Sequence, residues 1–374
     1  MKFLHLADLH LGKRLNDFSF LEDQVRLLCQ VEEIARSERA DAVLIAGDVY
    51  QKASPQSEAM AVFDQFITRL KEMGLAVFVI SGNHDSAQRI SYFSSLLKNS
   101  GVYVSEAFDG HLQQVTLQDE HGELVVSLLP FLKPIQVRRF YPDEKIETYQ
   151  DAVQAVLRHS PVDTAKRNVL VCHQFITGAE TSDSEEKTVG GLDNIDAAVF
   201  ADFDYVALGH IHKPQKCTRD TLRYAGSLMK YSFSEVNQKK SVTVVEMEEK
   251  GEISIRTVPL APSHDMRLVE GLMDDVLAMP YSEDYVWVTL RDELPPPDAR
   301  VTVSTVFPNM MKFSVVNSKT KTDIDVLARE AMENKSPEEL FSDFYRLQNN
   351  DCPPGPRHME ILRSLRKELE GEIR

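Results

Sequence analysis

Short apolar runs alternate with amphipathic stretches along the first part of the chain. Residues 2–7, 42–46 and 75–80 are predominantly apolar segments of strand length. Between them, apolar residues recur at helical spacing over residues 20–36 and 57–73. This alternation predicts an α/β fold whose strands are buried and mainly parallel.

The middle of the chain continues the pattern with strand candidates at residues 124–129, 169–172, 205–208 and 241–246. A polar stretch over residues 178–191 contains the acidic run 181–186. Blocks of charge rarely order by themselves, so this run is typical of a solvated, mobile surface loop.

The character of the chain changes after Pro259 and Pro262. Residues 285–290 and 300–307 have the composition of strands, and consecutive prolines lie between them. This region holds few candidate ligands, and we interpret it as a small α+β second domain.

The C-terminal tail has the pattern of two amphipathic helices. Ser336, Pro337 and Glu339 form a helix start, with a capping serine, proline at the first position and glutamate three residues after the serine. After a proline-rich break at residues 353–356, a second helix is predicted. Each helix has one apolar stripe, formed by Leu340, Phe341, Phe344 and Tyr345 and by Leu362, Leu365, Leu369 and Ile373. Such stripes either pack on their own domain or dock onto a partner helix.

Composition indicates a globular protein with a sizeable core. The chain has 374 residues, of which 43% are hydrophobic and 27% charged, and its length suits two or three domains. No apolar run is long enough to span a bilayer, and Asp8 interrupts any signal-peptide core, so a cytoplasmic protein without membrane contact is expected. The four cysteines form no CxxC pair and fit reduced thiols better than disulfides or a zinc ribbon.

The net charge of −16 restricts how the chain can bind nucleic acid. Proteins that bind DNA by broad phosphate neutralisation usually carry a basic face, which this composition does not indicate. If the substrate is nucleic acid, metal ions or a partner must supply much of the attraction for phosphate.

Polar motifs follow the predicted strands at several points. The motifs are Asp8-Leu9-His10, Gly47-Asp48, Gly82-Asn83-His84-Asp85, His173 and Gly209-His210-Ile211-His212. Ligand sites in open α/β sheets form at the carboxyl ends of strands, so these side chains are expected to converge. In an extended chain, residues two apart point to the same side, so Asp8 could pair with His10 and His210 with His212.

The residue types in these motifs suit divalent metal ions. Carboxylate, amide and imidazole donors without cysteine favour manganese, iron or zinc at a catalytic site and argue against a structural zinc site. Two-metal phosphoesterases need a carboxylate that bridges ions about 3.5–4 Å apart, and Asp48 is the natural candidate. Each motif alone has an ordinary explanation, such as a packed histidine at His173 or a turn at Asn83–Asp85, but together they form a specific signal.

These motifs resemble the signature of the calcineurin-like metallophosphoesterase superfamily. Within it, the chain is similar to the nuclease components of SbcCD complexes. The resemblance extends over nearly the whole chain and includes residues 2–12, 129–132, 224–228 and 340–345. It implies a β-sandwich flanked by helices, with a small α+β capping domain and a C-terminal helical tail.

The resemblance also implies roles for individual residues. Asp8, His10 and His212 would hold one metal, Asn83, His173 and His210 would hold the second, and Asp48 would bridge them. His84 would act on the scissile phosphate, and Asp85 would orient the His84 ring. The implied cofactors are two divalent ions, most naturally Mn²⁺.

The implied activity is that of a nuclease in DNA repair, replication and recombination. It comprises 3′-to-5′ exonuclease action on double-stranded ends and endonuclease action on single strands and hairpins. The implied organisation is a nuclease domain over residues 1–263, a DNA-capping domain over 264–330 and helices over 331–374 that dock an SbcC-type ATPase. The chain has no GxxxxGK[ST] loop, so ATP dependence would come from that partner. A homodimer within a heterotetramer is also implied.

Two alternative functions remain open at this point. A small-molecule phosphodiesterase or protein phosphatase would share the metal site, but it would not need the chain after His264. A non-catalytic scaffold could use the same fold as an interaction surface, although a scaffold has no reason to keep a full set of metal ligands.

Overall fold

The computed structural model describes residues 1–185, 194–317, 337–348 and 353–371. Its strands are β1 (Lys2–Leu6), β2 (Arg14–Leu15), β3 (Phe18–Ser19), β4 (Ala42–Ala46), β5 (Ala76–Ile80), β6 (Val102–Val104), β7 (Gln113–Asp119), β8 (Gly122–Leu129), β9 (Arg167–His173), β10 (Tyr205–Gly209), β11 (Gln215–Lys216), β12 (Leu222–Tyr224), β13 (Ser241–Met247), β14 (Ile253–Pro259), β15 (Met266–Gly271), β16 (Tyr285–Leu290) and β17 (Met310–Val315). Its α-helices are α1 (Leu21–Glu38), α2 (Ser57–Glu72), α3 (Ala87–Ile90), α4 (Ser94–Leu97), α5 (Pro134–Val137), α6 (Tyr149–His159), α7 (Met273–Leu277), α8 (Ala299–Ser304), α9 (Pro337–Gln348) and α10 (Pro356–Gly371).

Two six-stranded sheets form the main body. One has the strand order β14–β13–β1–β4–β5–β6, and the other has the order β11–β12–β10–β9–β8–β7. Strands β1, β4, β5 and β6 run parallel to one another, as do β8, β9, β10 and β12, and antiparallel strands lie at the edges. The predicted predominance of parallel strands is confirmed.

The two sheets pack face to face and carry helices on their outer faces. Both faces of each sheet are apolar, as β1 shows. Phe3 lies in the core between the sheets, while the next residue, Leu4, packs toward the helices. Helices α1 and α2 cover the first sheet, and α5 and α6 cover the second. The predicted β-sandwich flanked by helices is therefore confirmed.

A smaller three-stranded sheet follows the main body. Its strands have the parallel order β15–β16–β17 and enclose a separate apolar core with α7 and α8. Tyr285 joins this unit to the main body, because its hydroxyl donates to Asp23 Oδ2 over 2.7 Å and its ring packs against Phe18 and Phe20. The domain boundary at residue 264 stays a prediction.

The predicted strand over residues 300–307 is wrong, because this segment contains helix α8. Ala299, Val303 and Phe307 are all buried, which is the one-face spacing of a helix, whereas Val301 is 69% exposed. The β-branched residues favour a strand locally, but packing of that one face onto the small core outweighs their weak preference.

The tail contains the two predicted helices, α9 and α10. The rings of Tyr345 and His358, one from each helix, lie 5.0 Å apart. The capping Ser336 and Ile373 lie outside the described residues, as do the side chains of Leu365 and Leu369. Within the described ranges, every helix is too short or too polar to cross a membrane.

Candidate metal centre

The carboxyl ends of five parallel strands bring the predicted ligands together. Asp8 follows β1, Asp48 follows β4, Asn83 follows β5, His173 ends β9 and His210 follows β10. These strands belong to both sheets, so the ligands meet at one edge of the sandwich. Apart from Asn83, whose burial is intermediate, all of these side chains are buried.

The backbone conformation at the ligands differs from the extended one expected for paired side chains. Asp8, His10, Asp48 and His210 have φ values of +53°, +44°, +49° and +103°, in the left-handed region. The explanation that residues two apart share a side in an extended chain is therefore wrong. Asp8 and His10 are instead held by N–H groups that donate to Gly47 O and Asp48 O over 3.1 and 2.9 Å. Strain of this kind concentrates at functional sites.

Two glycines permit the close packing of these loops. A Cβ on Gly82 would lie 2.1 Å from Asp48 Oδ1, and a Cβ on Gly209 would lie 1.9 Å from Ala46 O. No side chain fits at either position without displacing the loop beside it. Both positions therefore require glycine for the loops to approach this closely.

Asp8, His10 and His212 form one group of donor atoms. The Nε2 atoms of His10 and His212 lie 3.0 Å apart, and Asp8 belongs to the same cluster of potential metal ligands. Asp8 also accepts the backbone N–H of His210 over 2.9 Å, which ties the first and last motifs together.

Asn83, His173 and His210 form a second group. Asn83 Oδ1 lies 3.0 Å from His173 Nε2 and 3.1 Å from His210 Nδ1. Asp48 lies between the two groups, because its Oδ2 is 3.5 Å from His10 Nε2 and 3.5 Å from His173 Nε2. All seven predicted ligands therefore lie in one cluster.

The electrostatics of this cluster fit a site for cations. Burial works to lower the pKa of His173, but Asp48 and Asp8 outweigh it and raise that pKa to about 9. Burial works to raise the pKa of Asp48, but His173, His10 and His84 hold it well below its usual value. Burial, with a contribution from His173, lowers the pKa of His210 to about 3. The cluster thus keeps an ionised Asp48 between a neutral His210 and a His173 that holds a proton, which a bound cation would displace. Carboxylate, amide and imidazole groups together are the donor chemistry of a dinuclear site for borderline divalent ions.

His84 lies at the edge of this cluster. Its Nδ1 is 3.1 Å from Gln51 O, its Nε2 is 4.0 Å from Asp48 Oδ2, and its ring packs edge-on against His10. Its backbone N–H donates to Asp48 Oδ1 over 2.9 Å. The side chain is partly exposed, so it can reach a group bound at the mouth of the site.

Asp85 does not orient the His84 ring as expected. Its carboxylate accepts the backbone N–H groups of Val49, Tyr50 and Gly82 over 3.1, 3.0 and 2.9 Å, while the His84 ring faces Gln51 O. Burial, together with the charge of Asp48, raises the pKa of Asp85 to about 7. Asp85 therefore joins the loops after β4 and β5, which carry Asp48 and Asn83.

The acidic run is not wholly solvated, which corrects the interpretation as a surface loop. Ser182 is buried, and Glu185 Oε1 accepts the backbone N–H of His212 over 2.9 Å. The spacing of Ser182 and Glu185 is that of a capping box, and Ser182 N and Oγ donate to Glu185 Oε2 over 2.6 and 2.8 Å. This spacing was the available signal for local order, but nothing in it indicates contact with His212. The end of the polar stretch, residues 186–191, lies outside the described residues.

Sequence reasoning also missed buried groups behind the ligands. Gln24 donates to Leu9 O and His10 O over 3.0 and 2.9 Å and so fixes the first motif. Glu235 and Lys240 form a buried ion pair of 2.6 Å close to His212. Gln24 lies in α1, Glu235 in a 3-10 turn and Lys240 directly before β13. No spacing pattern in the sequence links them to the motifs.

Comparison with known proteins gives matches over most of the chain. The family model for calcineurin-like phosphoesterases matches residues 1–214, and a model described as the type 5 capsule protein repressor C-terminal domain matches residues 262–349. The chain is 34% identical to SbcD, the nuclease component of SbcCD, from Staphylococcus epidermidis, over 84% of this chain and 86% of that protein. It is 33% identical to SbcD from Staphylococcus saprophyticus, over 83% and 84% of the two chains.

A solved structure of a dimetal phosphatase from Danio rerio is a distant match. It has a TM-score of 0.39 and 12% identity, over 70% of this chain and 99% of that chain. A likeness this low adds nothing to the assignment.

Proposed function

The chain belongs to the calcineurin-like phosphoesterases, and within them to the SbcD nucleases of SbcCD complexes, and from that premise we propose that it hydrolyses DNA phosphodiester bonds at a manganese-dependent two-metal site. The observation that carries this proposal is the position of Asp48. Its Oδ2 lies 3.5 Å from one histidine of each ligand group.

The proposed ligands are Asp8, His10 and His212 for one ion, Asn83, His173 and His210 for the other, and Asp48 between them. The short distances among their donor atoms and their burial support this assignment. Two such ions, when bound, supply Lewis-acid stabilisation of phosphate oxygens and an activated water nucleophile.

We propose His84 as the catalytic residue that acts on the leaving oxygen. A carbonyl oxygen can only accept a hydrogen bond, so Gln51 O, at 3.1 Å, requires the proton on His84 Nδ1. The protonated ring then carries its second proton on Nε2, which points toward the cluster. From there it can protonate the leaving oxygen or stabilise its charge.

Asp85 is proposed as a positioning residue. Its bonds to three backbone amides join the loops that carry Asp48 and Asn83. A carboxylate that fixes the supports of metal ligands keeps them ready for the ions.

The substrates proposed from family membership are double-stranded ends for 3′-to-5′ exonuclease action and single strands and hairpins for endonuclease action, in repair, replication and recombination. We propose an SbcC-type ATPase as partner, because the relatives are named as parts of SbcCD. The net charge of −16 agrees with a partner that contributes to DNA attraction.

The proposed domain organisation follows the same premise. Residues 1–263 would form the nuclease domain, 264–330 the capping domain and 331–374 the docking helices. The separate core of β15–β17 with α7 and α8 supports a distinct second unit. The cytoplasmic location and the dimer within a heterotetramer stay expectations.

The experiment is an assay of the purified full chain with Mn²⁺, with and without the ATPase. Hairpin DNA, duplex DNA with free ends and a phosphopeptide are compared, and Asp48→Asn provides the matched inactive control. We expect the wild type to cleave hairpin and duplex DNA and Asp48→Asn to cleave neither. Hydrolysis of the phosphopeptide without DNA cleavage would show a phosphatase instead, and loss of all divalent ion on mild dialysis would favour a scaffold.

A further inference from the structure

A buried ion pair lies directly behind His212. Glu235, in the short 3-10 turn Phe233–Glu235, is fully buried, and Lys240 is 5% exposed. Their charged atoms, Oε2 and Nζ, are 2.6 Å apart. Lys240 Nζ also donates to His212 O over 2.8 Å and to Ser227 Oγ over 2.9 Å.

Ser184 connects the other oxygen of Glu235 to the His212 ring. Its Oγ lies 2.5 Å from Glu235 Oε1 and 2.7 Å from His212 Nδ1. Glu235 itself is 3.5 Å from the ring nitrogen, so the hydroxyl is the closer contact. Both members of the ion pair therefore act on one residue, Lys240 on its backbone and Glu235 on its side chain.

The directions of the hydrogen bonds from His212 through Ser184 to Glu235 follow from the chemistry of these three groups. An ionised carboxylate only accepts, so the Ser184 hydroxyl donates its proton to Glu235. The Ser184 oxygen is then left to accept from His212, which places the ring proton on Nδ1. The lone pair of His212 is therefore on Nε2, the atom 3.0 Å from His10 Nε2 within the ligand cluster.

We propose that Glu235, acting through Ser184, positions His212 and selects its Nδ1–H tautomer, so that the metal position formed with Asp8 and His10 depends on this contact. Hydrogen bonds to the outer nitrogen of a metal-binding histidine orient the ring and raise its basicity. The proposal deepens the two-metal function and rests on it.

Stability alone does not account for this arrangement. A buried ion pair contributes little net stability compared with well-packed apolar residues of similar volume. Apolar residues at positions 235 and 240 would fill the same space, but they would offer no acceptor for Ser184 and no donor for His212 O. What the charged pair adds is the direction of its bonds to His212.

The test compares Mn²⁺ binding by Ser184→Ala, Ser184→Thr and the wild type, each as the full chain. Ser184→Ala removes the connecting hydroxyl and leaves the Glu235–Lys240 pair intact, whereas threonine restores a hydroxyl. Ser263→Ala is the matched control, because Ser263 also accepts a hydrogen bond, but from Arg26, which takes no part in the contacts to His212 described above. Isothermal titration calorimetry gives the affinity of each ion, and electron paramagnetic resonance distinguishes a spin-coupled Mn²⁺ pair from an isolated ion.

In Ser184→Ala we expect one ion to bind about 10- to 100-fold more weakly, as is usual when a residue that supports a metal ligand is lost. The coupled-pair signal should disappear at two equivalents of Mn²⁺ and return at higher concentration. Ser184→Thr and Ser263→Ala should match the wild type. Thermal unfolding without metal should be unchanged in Ser184→Ala, which excludes general loosening of the fold.

Two results would overturn the proposal: wild-type affinity for both ions in Ser184→Ala, or failure of Ser184→Thr to restore the affinity that alanine loses. Glu235→Gln is a second variant. It should weaken the binding of the same ion, even if the variant unfolds at a lower temperature than the wild type. If the wild type itself binds no coupled pair, the two-metal function has failed and not only the role of Glu235.

Discussion

At the scale of one residue, the two carboxylate oxygens of Asp48 make different contacts. Its Oδ1 accepts the His84 backbone N–H, while its Oδ2 faces His10 and His173. The surrounding histidines hold its pKa low despite burial, so the carboxylate stays ionised. The position of the Asp48 carboxylate therefore depends on close contacts at both of its oxygens.

Gly82→Ala tests that dependence. The added Cβ would lie 2.1 Å from Asp48 Oδ1, so the carboxylate must move away from its position between the two ligand groups. We expect loss of the coupled Mn²⁺ pair and a fall in nuclease activity of about 100-fold or more, by analogy with lost positioning. Gly271→Ala is the matched control, because its Cβ makes only ordinary contacts at 3.6 Å. Wild-type metal binding in Gly82→Ala would show that the loops adjust.

His84→Gln tests whether this side chain performs chemistry or binds metal. His84 lies near His10 and Asp48 in a group that could itself hold an ion. If His84 is a general acid, its replacement should lower kcat by about 10²- to 10⁴-fold while leaving Mn²⁺ stoichiometry nearly intact. Activity assays and metal analysis of the same samples check this. A variant that loses its metals would show that His84 is a ligand.

At the scale of elements, the ends of strands position the proposed metal-binding atoms, and short helices cover the apolar cores. Each of the five strands that carry the proposed ligands forms from a local run of sequence, but hydrogen bonds such as that from His210 N to Asp8 join loops 202 positions apart. The arginine at the start of β9 has a similar joining role. Arg167 is buried and bonds Asp119 of β7 and carbonyls of residues 122, 247 and 248.

Val303→Ala and Val301→Ala distinguish a helix from a strand at residues 299–304. In a strand both side chains would lie on one face, but in α8 Val303 is buried and Val301 is exposed. We expect Val303→Ala to lower the free energy of unfolding by about 1–3 kcal/mol through lost burial and a small cavity. Val301→Ala should change it by less than about 0.5 kcal/mol. Urea denaturation measures both, and equal effects would contradict the helix.

Asp119→Asn tests the joining role of Arg167 through its pH dependence. The bond from Arg167 lowers the pKa of Asp119, so the ionised carboxylate stabilises the fold at neutral pH. That contribution is lost as pH falls below the unfolded value of about 3.9 toward the lower folded one. Asp119→Asn should therefore cost about 1.5–3 kcal/mol at neutral pH and much less near the folded pKa. Urea unfolding of the wild type and of Asp119→Asn at neutral and at acidic pH checks this. If the two proteins differed by the same free energy of unfolding at both pH values, the charge effect would be excluded.

At the scale of the whole molecule, a two-sheet body carries the cluster of proposed ligands, a small sheet packs against it and a helical tail follows. The small sheet contacts the body beside the turn that ends at Glu235, since Trp287 packs against Phe233 in that turn. The tail helices contact each other through Tyr345 and His358. Phe344 remains exposed on the first of them.

Truncation before Ser336 tests the proposed role of the tail. Removing both helices should abolish association with the ATPase, because the apolar stripe that would dock is lost. A basal activity on single-stranded DNA should remain, since every proposed ligand lies before Lys213. Co-purification and a single-strand assay measure the two properties. If the truncated chain still co-purified with the ATPase, the docking surface would lie elsewhere.

The sequence by itself determined the α/β class, the strand ends and the donor set. These features are local or periodic, because apolar runs mark strands and the motifs directly follow them. Only the tertiary structure decided the left-handed backbone at Asp8, the amide contacts of Asp85 and the burial of Ser182. It also decided that residues 299–304 are helical and that Glu235 and Lys240 support His212. Each of these depends on contacts between segments far apart in the chain, where packing and buried charge outweigh local preference.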